Sequence, residues 1–192
     1  MRSAGSQAHG VLYVISGGSP AARHVPEFVR RAQTAGWEVC VVASPQGTKF
    51  LDLEQLQRLT GYPVQSEYKH PDEPDVLPPA DAVVAFPATF NTLNKWVQGI
   101  SDTLAVGLLC EHLGRGTPMI AVPCVGTDSG LDTHPAFGRS LAGLRDCGVR
   151  VVYDRDTYSM HDPDLPATVA MHLERFRPQP ADPPSGEHPQ GR

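Results

Sequence analysis

Short, unbroken apolar runs alternate along the chain with stretches in which apolar residues return every third or fourth position. The first kind predicts strands buried on both sides, the second helices that bury one face. Residues 11–15 (Val-Leu-Tyr-Val-Ile) are such a run, closed by Ser16-Gly17-Gly18-Ser19-Pro20, a turn. Over 21–35 the apolar positions Ala22, Val25, Phe28, Val29, Ala32 and Ala35 share one helical face. Arg23, Glu27, Arg30 and Arg31 fall elsewhere; Pro26 is tolerable in the first turns, and Gly36 is a plausible stop.

The alternation continues with a strand over 37–43, a short helix over 52–59 and a strand over 64–68. Residues 69–79 are polar with four prolines and read as a loop. A strand over 80–86 leads into Pro87-Ala88-Thr89-Phe90-Asn91-Thr92, and helices follow over 91–100 and 102–113. A strand over 118–122, a helix over 134–146, a strand over 149–153 and a helix over 165–176 complete the series. The Pro- and Gly-rich tail, 178–192, is expected to be disordered, leaving a single domain over 1–177.

Short buried strands alternating with helices imply a parallel sheet covered on both faces. Ligands in such folds sit at the carboxyl ends of the strands. The three most unusual loops, 16–20, 44–48 and 87–92, all follow strands, so topology alone sends them towards one pocket.

Composition narrows the functional classes. A chain of 192 residues, 40% hydrophobic, can bury a core without disulfides or metals. Its formal charge of −5 argues against a nucleic-acid partner. No apolar run approaches the roughly 20 residues that span a bilayer, and residues 1–10 lack an apolar signal core, so the expected location is cytoplasmic with no membrane contact. Cys40, Cys110, Cys124 and Cys147 form no CxxC pair, and the eight histidines show no metal-binding spacing. No metal site is expected, and Cys40 reads as plain core.

Three segments carry candidate chemistry. Gly17-Gly18-Ser19-Pro20 joins a strand to a helix and either receives a phosphate at the helix N-terminus or is a tight turn with an N-capping serine. In Ser44-Pro45-Gln46-Gly47-Thr48, Ser44 or Thr48 either completes a phosphate cradle or caps the next helix. The third segment places Thr89, Asn91, Thr92 and Asn94 at one strand-to-helix junction, a lining suited to a planar heterocycle with polar edges; capping would require only one of them.

Taken together, Gly18-Ser19-Pro20-Ala21-Ala22, the strand at 37–43 followed by Ser44, and Pro87-Ala88-Thr89-Phe90-Asn91-Thr92 with Lys95 and Gly99-Ile100-Ser101-Asp102 resemble the flavoprotein family of phosphopantothenoylcysteine decarboxylases. The peptidyl-cysteine decarboxylases of lantibiotic biosynthesis belong to that group, and flavin prenyltransferases are more distant relatives. The resemblance implies a Rossmann-like, flavodoxin-type α/β fold and FMN as cofactor. It also implies self-association as a homotrimer or dodecamer with flavin at subunit interfaces. Carried over by position, Gly18, Ser19 and Pro20 match the phosphate-side loop, and Ser44 matches the family's Thr or Ser after the second strand. Thr89, Phe90, Asn91 and Thr92 match the stretch that contacts the flavin.

Two motifs depart from that pattern. The family's catalytic His, counted back from Ala80-Asp81, falls on Glu73, with His70 three residues earlier. Glu73 and His70 are therefore the candidates for a base, and an absent base is the alternative. The Asn that grips the substrate carboxylate in the family's Pro-Ala-Met-Asn segment falls on Gly126 of Pro123-Cys124-Val125-Gly126. Cys124 stands where the family has a small residue beside the flavin, and His134-Pro135 reads as a surface cap. The resemblance thus implies an FMN-dependent decarboxylase-like enzyme acting on a small or peptidyl thiol. The departures leave open altered flavin chemistry on another metabolite, or a non-catalytic flavin-binding or regulatory subunit; prenyl transfer is a weaker fit.

Overall fold

The computed structural model describes residues 10–154 and 159–176. Five parallel strands, β1 (Val11–Ser16), β2 (Glu38–Ala43), β3 (Ala82–Ala88), β4 (Met119–Pro123) and β5 (Arg150–Val151), form one sheet in the order β2-β1-β3-β4-β5. This is the doubly wound flavodoxin-type order. Six helices cover it: α1 (Val25–Thr34), α2 (Leu53–Thr60), α3 (Phe90–Val97), α4 (Leu104–Gly114), α5 (Pro135–Asp146) and α6 (Leu165–Leu173).

All seven residues of the central strand β3 are buried, as a strand covered on both faces requires. Leu12, Val14, Val84 and Phe86 point to one face, where Phe28 of α1 and Val169 of α6 pack on them. Tyr13, Ile15, Val83 and Ala85 point to the other, under Leu93 and Trp96 of α3, Leu109 of α4 and Leu141 of α5. Cys40 lies wholly inside this second layer, and burial pushes its thiol up to about 12, which leaves it an apolar filler. Among the described residues no helix is long and apolar enough to cross a membrane.

Several expected elements change extent. The expected helix over 21–35 is a 3-10 segment (Pro20–His24) leading into α1, with Pro26 in the first turn where its missing N–H is harmless. The expected strand over 64–68 does not form: one bridge, Val42 to Gln65, holds this segment at the edge of β2. Tyr68 then turns away, its hydroxyl donating to the Thr103 carbonyl at 3.3 Å. The last strand shrinks from 149–153 to Arg150–Val151, because β5 is an edge with a single neighbour. The tail at 178–192 and most of the first ten residues lie outside the described residues.

One buried histidine sets an acid limit. His112 is 5% exposed, with Nδ1 3.0 Å from Thr117 Oγ1 and its ring edge-on to Tyr13. Burial holds its pKa below the usual value, and burial lowers His24 and His172 as well. The unfolded chain then binds protons near pH 6.5 that the folded chain refuses, so stability falls as pH drops through that value. Thermal melting followed from pH 7.5 to about 5.5 is expected to show a falling midpoint. His112→Gln is expected to flatten the slope, and equal slopes for both proteins would contradict this assignment.

Candidate functional site

The loops after β1, β2, β3 and β4 meet at the carboxyl edge of the sheet and enclose a cavity of about 670 Å³. That is the size range of a small-molecule or cofactor site. Gly18, Ser19 and Pro20 line it from the first loop and Ser44 from the second, while Thr89, Phe90, Asn91 and Thr92 come from the third and Cys124 from the fourth.

Loop packing explains two of the glycines. The Gly17 N–H donates to the Pro87 carbonyl at 2.9 Å, and a Cβ there would lie 2.8 Å from that oxygen and 2.9 Å from Thr89 Cγ2. At Gly47 a Cβ would come within 2.5 Å of the Ser16 carbonyl oxygen and 3.1 Å of Ser44 Oγ. Both glycines let neighbouring loops touch, and Gly17 also lines the cavity itself.

Ser19 caps as well as lines the cavity, whereas the helix after the second loop, α2, is capped by Asp52 and not by Ser44 or Thr48. Ser19 Oγ accepts from the Ala21 N–H at 3.3 Å, and Ser44 Oγ accepts from the Gly47 N–H at 3.0 Å. In both hydroxyls the hydrogen stays available to a ligand. Thr48 takes no part: it donates to the Pro45 carbonyl at 2.8 Å and is absent from the lining.

At the start of α3, Thr89 is the N-cap, accepting from the Thr92 N–H, and its hydroxyl is 2.9 Å from that of Thr92. Asn91 projects from the first turn, exposed and lining the cavity. Asn94, grouped with these by sequence, faces elsewhere, its Oδ1 accepting from Ser140 Oγ of α5 at 2.6 Å. Phe90 forms an apolar wall, propped edge-on by His134 at 5.4 Å and stacked on Phe137. His134 is the N-cap of α5, Nδ1 accepting from the Ala136 N–H at 3.0 Å, so its capping role holds.

Lys95 reaches the cavity but is paired with Asp102 across the turn between α3 and α4. The hydrogen bond from Lys95 holds the Asp102 carboxyl below the usual range. Cys124, 5% exposed, presents a buried thiol to the cavity, its N–H donating to the Ala88 carbonyl at 2.9 Å. Gly126 leaves an opening, with Met160 Cε 3.7 Å from where a Cβ would stand.

His70 and Glu73 do not join this group. Both are exposed in the loop before β3, where the His70 N–H donates to Glu73 Oε2 at 3.2 Å, and neither lines the cavity. Ser16, Val106, Leu131 and Met160 line it and are missed by motif reading. Met160 lies beyond β5, in a segment with no recognisable motif. Ser16, at the tip of a strand, looks like the first residue of a turn. The site therefore offers hydroxyl donors around the first two loops, a polar helix start at the third and apolar walls between.

A family model described as Flavoprotein matches residues 2–171. The coenzyme A biosynthesis bifunctional protein CoaBC of Thermococcus kodakarensis is 29% identical over 143 residues, covering 72% of this chain and 35% of the relative. This chain thus spans about a third of that relative's length. Among solved structures, a PPC decarboxylase mutant complexed with pantothenoylaminoethenethiol has a TM-score of 0.68 at 20% identity, covering 86% of this chain and 97% of the other. The FMN-dependent cysteine decarboxylase SpaF has a TM-score of 0.67 at 22% identity, covering 88% and 98%. The FMN binding protein AtHal3 has a TM-score of 0.69 at 19% identity, covering 88% and 96%. At such identities the likeness is one of fold.

Proposed function

The chain belongs to the flavoprotein family, and on that premise we propose that it binds FMN in the cavity at the carboxyl edge of the sheet. The observation that carries this reading is the meeting of four strand-end loops around one cavity, with Gly18, Ser19, Pro20, Ser44, Thr89, Phe90, Asn91, Thr92 and Cys124 on its wall. The donor set fits the group. Ser19 and Ser44, beside Gly18 and Pro20, would hold the phosphate; Thr89, Asn91 and Thr92 would meet the polar edge of the ring. Phe90 and Cys124 would supply apolar contact beside it.

The reaction that fits best is decarboxylation of a small or peptidyl thiol, in which the thiol is oxidised and the carboxylate leaves as carbon dioxide. When bound, FMN supplies a two-electron sink for such a reaction. The chain's own residues bind and orient, and Phe90, Leu131 and Met160 give the cavity apolar surface. Self-association as a trimer or dodecamer is part of this proposal.

A second reading is favoured by a specific observation. His70 and Glu73 stand outside the cavity, and Lys95 and Cys124 are the ionisable side chains on its described wall, Lys95 already paired. Among the described residues of the wall no carboxylate or histidine stands as a base, which suits altered flavin chemistry or a non-catalytic flavin-binding subunit.

Purified protein is expected to take up FMN and turn yellow, and Asn91→Ala is expected to weaken uptake about tenfold without lowering the melting temperature, since Asn91 is exposed. Colourless protein that ignores added FMN would sink the cofactor assignment. Release of carbon dioxide from phosphopantothenoylcysteine or from peptides ending in cysteine supports the decarboxylase reading; FMN uptake without release supports the second.

A further inference from the structure

One fully buried hydroxyl lacks a partner among the described residues, and the residue that carries it lines the cavity. Ser16 ends β1, is 0% exposed and lines the cavity. Its Oγ has no hydrogen-bond partner among the described residues. A hydroxyl removed from water and left unpaired lowers stability. The rest of β1 is Val, Leu, Ile and a Tyr13 whose hydroxyl is paired with the Pro78 carbonyl, and an apolar side chain at Ser16 would avoid that cost. The missing partner is then something the cavity holds.

The surroundings say what kind of group that is. The Ser16 carbonyl accepts the Ser44 N–H at 2.8 Å and lies against Gly47, so this residue stands where the first two loops join. Ser19 and Ser44 line the same cavity, and the oxygen of each already accepts a backbone N–H. Each keeps an O–H to donate. No carboxylate lines the described wall, and its one cation, Lys95, is held by Asp102. Hydroxyl donors with no carboxylate beside them on the described wall suit a phosphate bound by neutral groups.

We propose that Ser16 is a third hydroxyl donor to the phosphate of the bound ligand, completing with Ser19 and Ser44 an uncharged phosphate cradle. This rests on the FMN reading above and goes beyond it by adding a residue that the family resemblance does not supply.

Ser16→Ala separates a ligand contact from a structural role, because the two move apo stability and affinity differently. Flavin binding is measured by fluorescence quenching with FMN and with riboflavin, which lacks the phosphate, alongside melting of the flavin-free protein. The variant is expected to lose roughly 10- to 100-fold in FMN affinity and to keep its riboflavin affinity. Its flavin-free melting temperature is expected to hold or rise by about 2–4 °C, since an unpaired buried hydroxyl is gone. Unchanged FMN affinity would overturn the proposal, and so would an equal loss for both flavins. A wild-type chain that takes up neither flavin would overturn the flavin reading itself, and this inference with it.

Discussion

Gly47→Ala is expected to destabilise the protein by roughly 1–3 kcal/mol, or about 2–10 °C in melting temperature, and to cut FMN uptake at least about tenfold. The new methyl would stand 2.5 Å from the Ser16 carbonyl oxygen and 3.1 Å from Ser44 Oγ. The Ser16 oxygen belongs to the backbone and already accepts the Ser44 N–H, so it cannot move aside without breaking the join between the first two loops. Relief therefore displaces Ser44, and with it one wall of the cavity. Gly138→Ala is the control: Gly138 is exposed within α5 with nothing within 4 Å of the added carbon. Removing a helical glycine there should stabilise by about 0.5–1 kcal/mol. Melting curves and FMN titrations of the two variants decide the matter; similar behaviour would show that the loops are not in contact as described.

Phe86→Ala is expected to have the largest effect on folding, a loss of about 3–5 kcal/mol in the free energy read from urea unfolding. Phe86 is 0% exposed on the central strand and meets Phe28 of α1 edge-on, with ring centres 5.6 Å apart. The cavity left behind lies between the sheet and a helix, both fixed by other contacts, so it cannot collapse fully. Against a total stability of about 5–15 kcal/mol, such a loss leaves a marginal protein. Phe86→Leu keeps most of the volume and should recover most of the stability. A loss below about 1 kcal/mol for the Ala variant would mean that the layer between α1 and the sheet is not packed as described.

The sheet was legible because its signal is local. A run such as 11–15 or 80–86 can be buried on both faces only in a covered parallel sheet, and the helical period between the runs supplies the cover. The loops at 16–20, 44–48 and 87–92 were found by the same logic, since each ends a strand and topology sends strand ends to one edge. Reading 64–68 as a strand failed because its few apolar residues look alike whether they join a ladder or, as Tyr68 does, lean on α4.

Side-chain direction at the site was not legible. Thr89, Asn91, Thr92 and Asn94 sit within six positions of one another, yet Asn94 turns to Ser140, 46 residues away, and leaves the cavity. Gly17 and Gly47 are pressed against other loops of the chain, a contact that their own segments do not show. Ser16 and Met160 carry no motif at all.

What the sequence alone determined is therefore the order of strands and helices apart from the strand expected over 64–68, the parallel sheet, and the segments that gather at its edge. Each depends on periodicity and turn chemistry within a short window. Only the tertiary structure decided which hydroxyls keep a free hydrogen, which glycines are pinned by a neighbouring loop, and that Ser16 is buried without a partner among the described residues. Those outcomes depend on contacts between residues distant in sequence, and no local pattern encodes them.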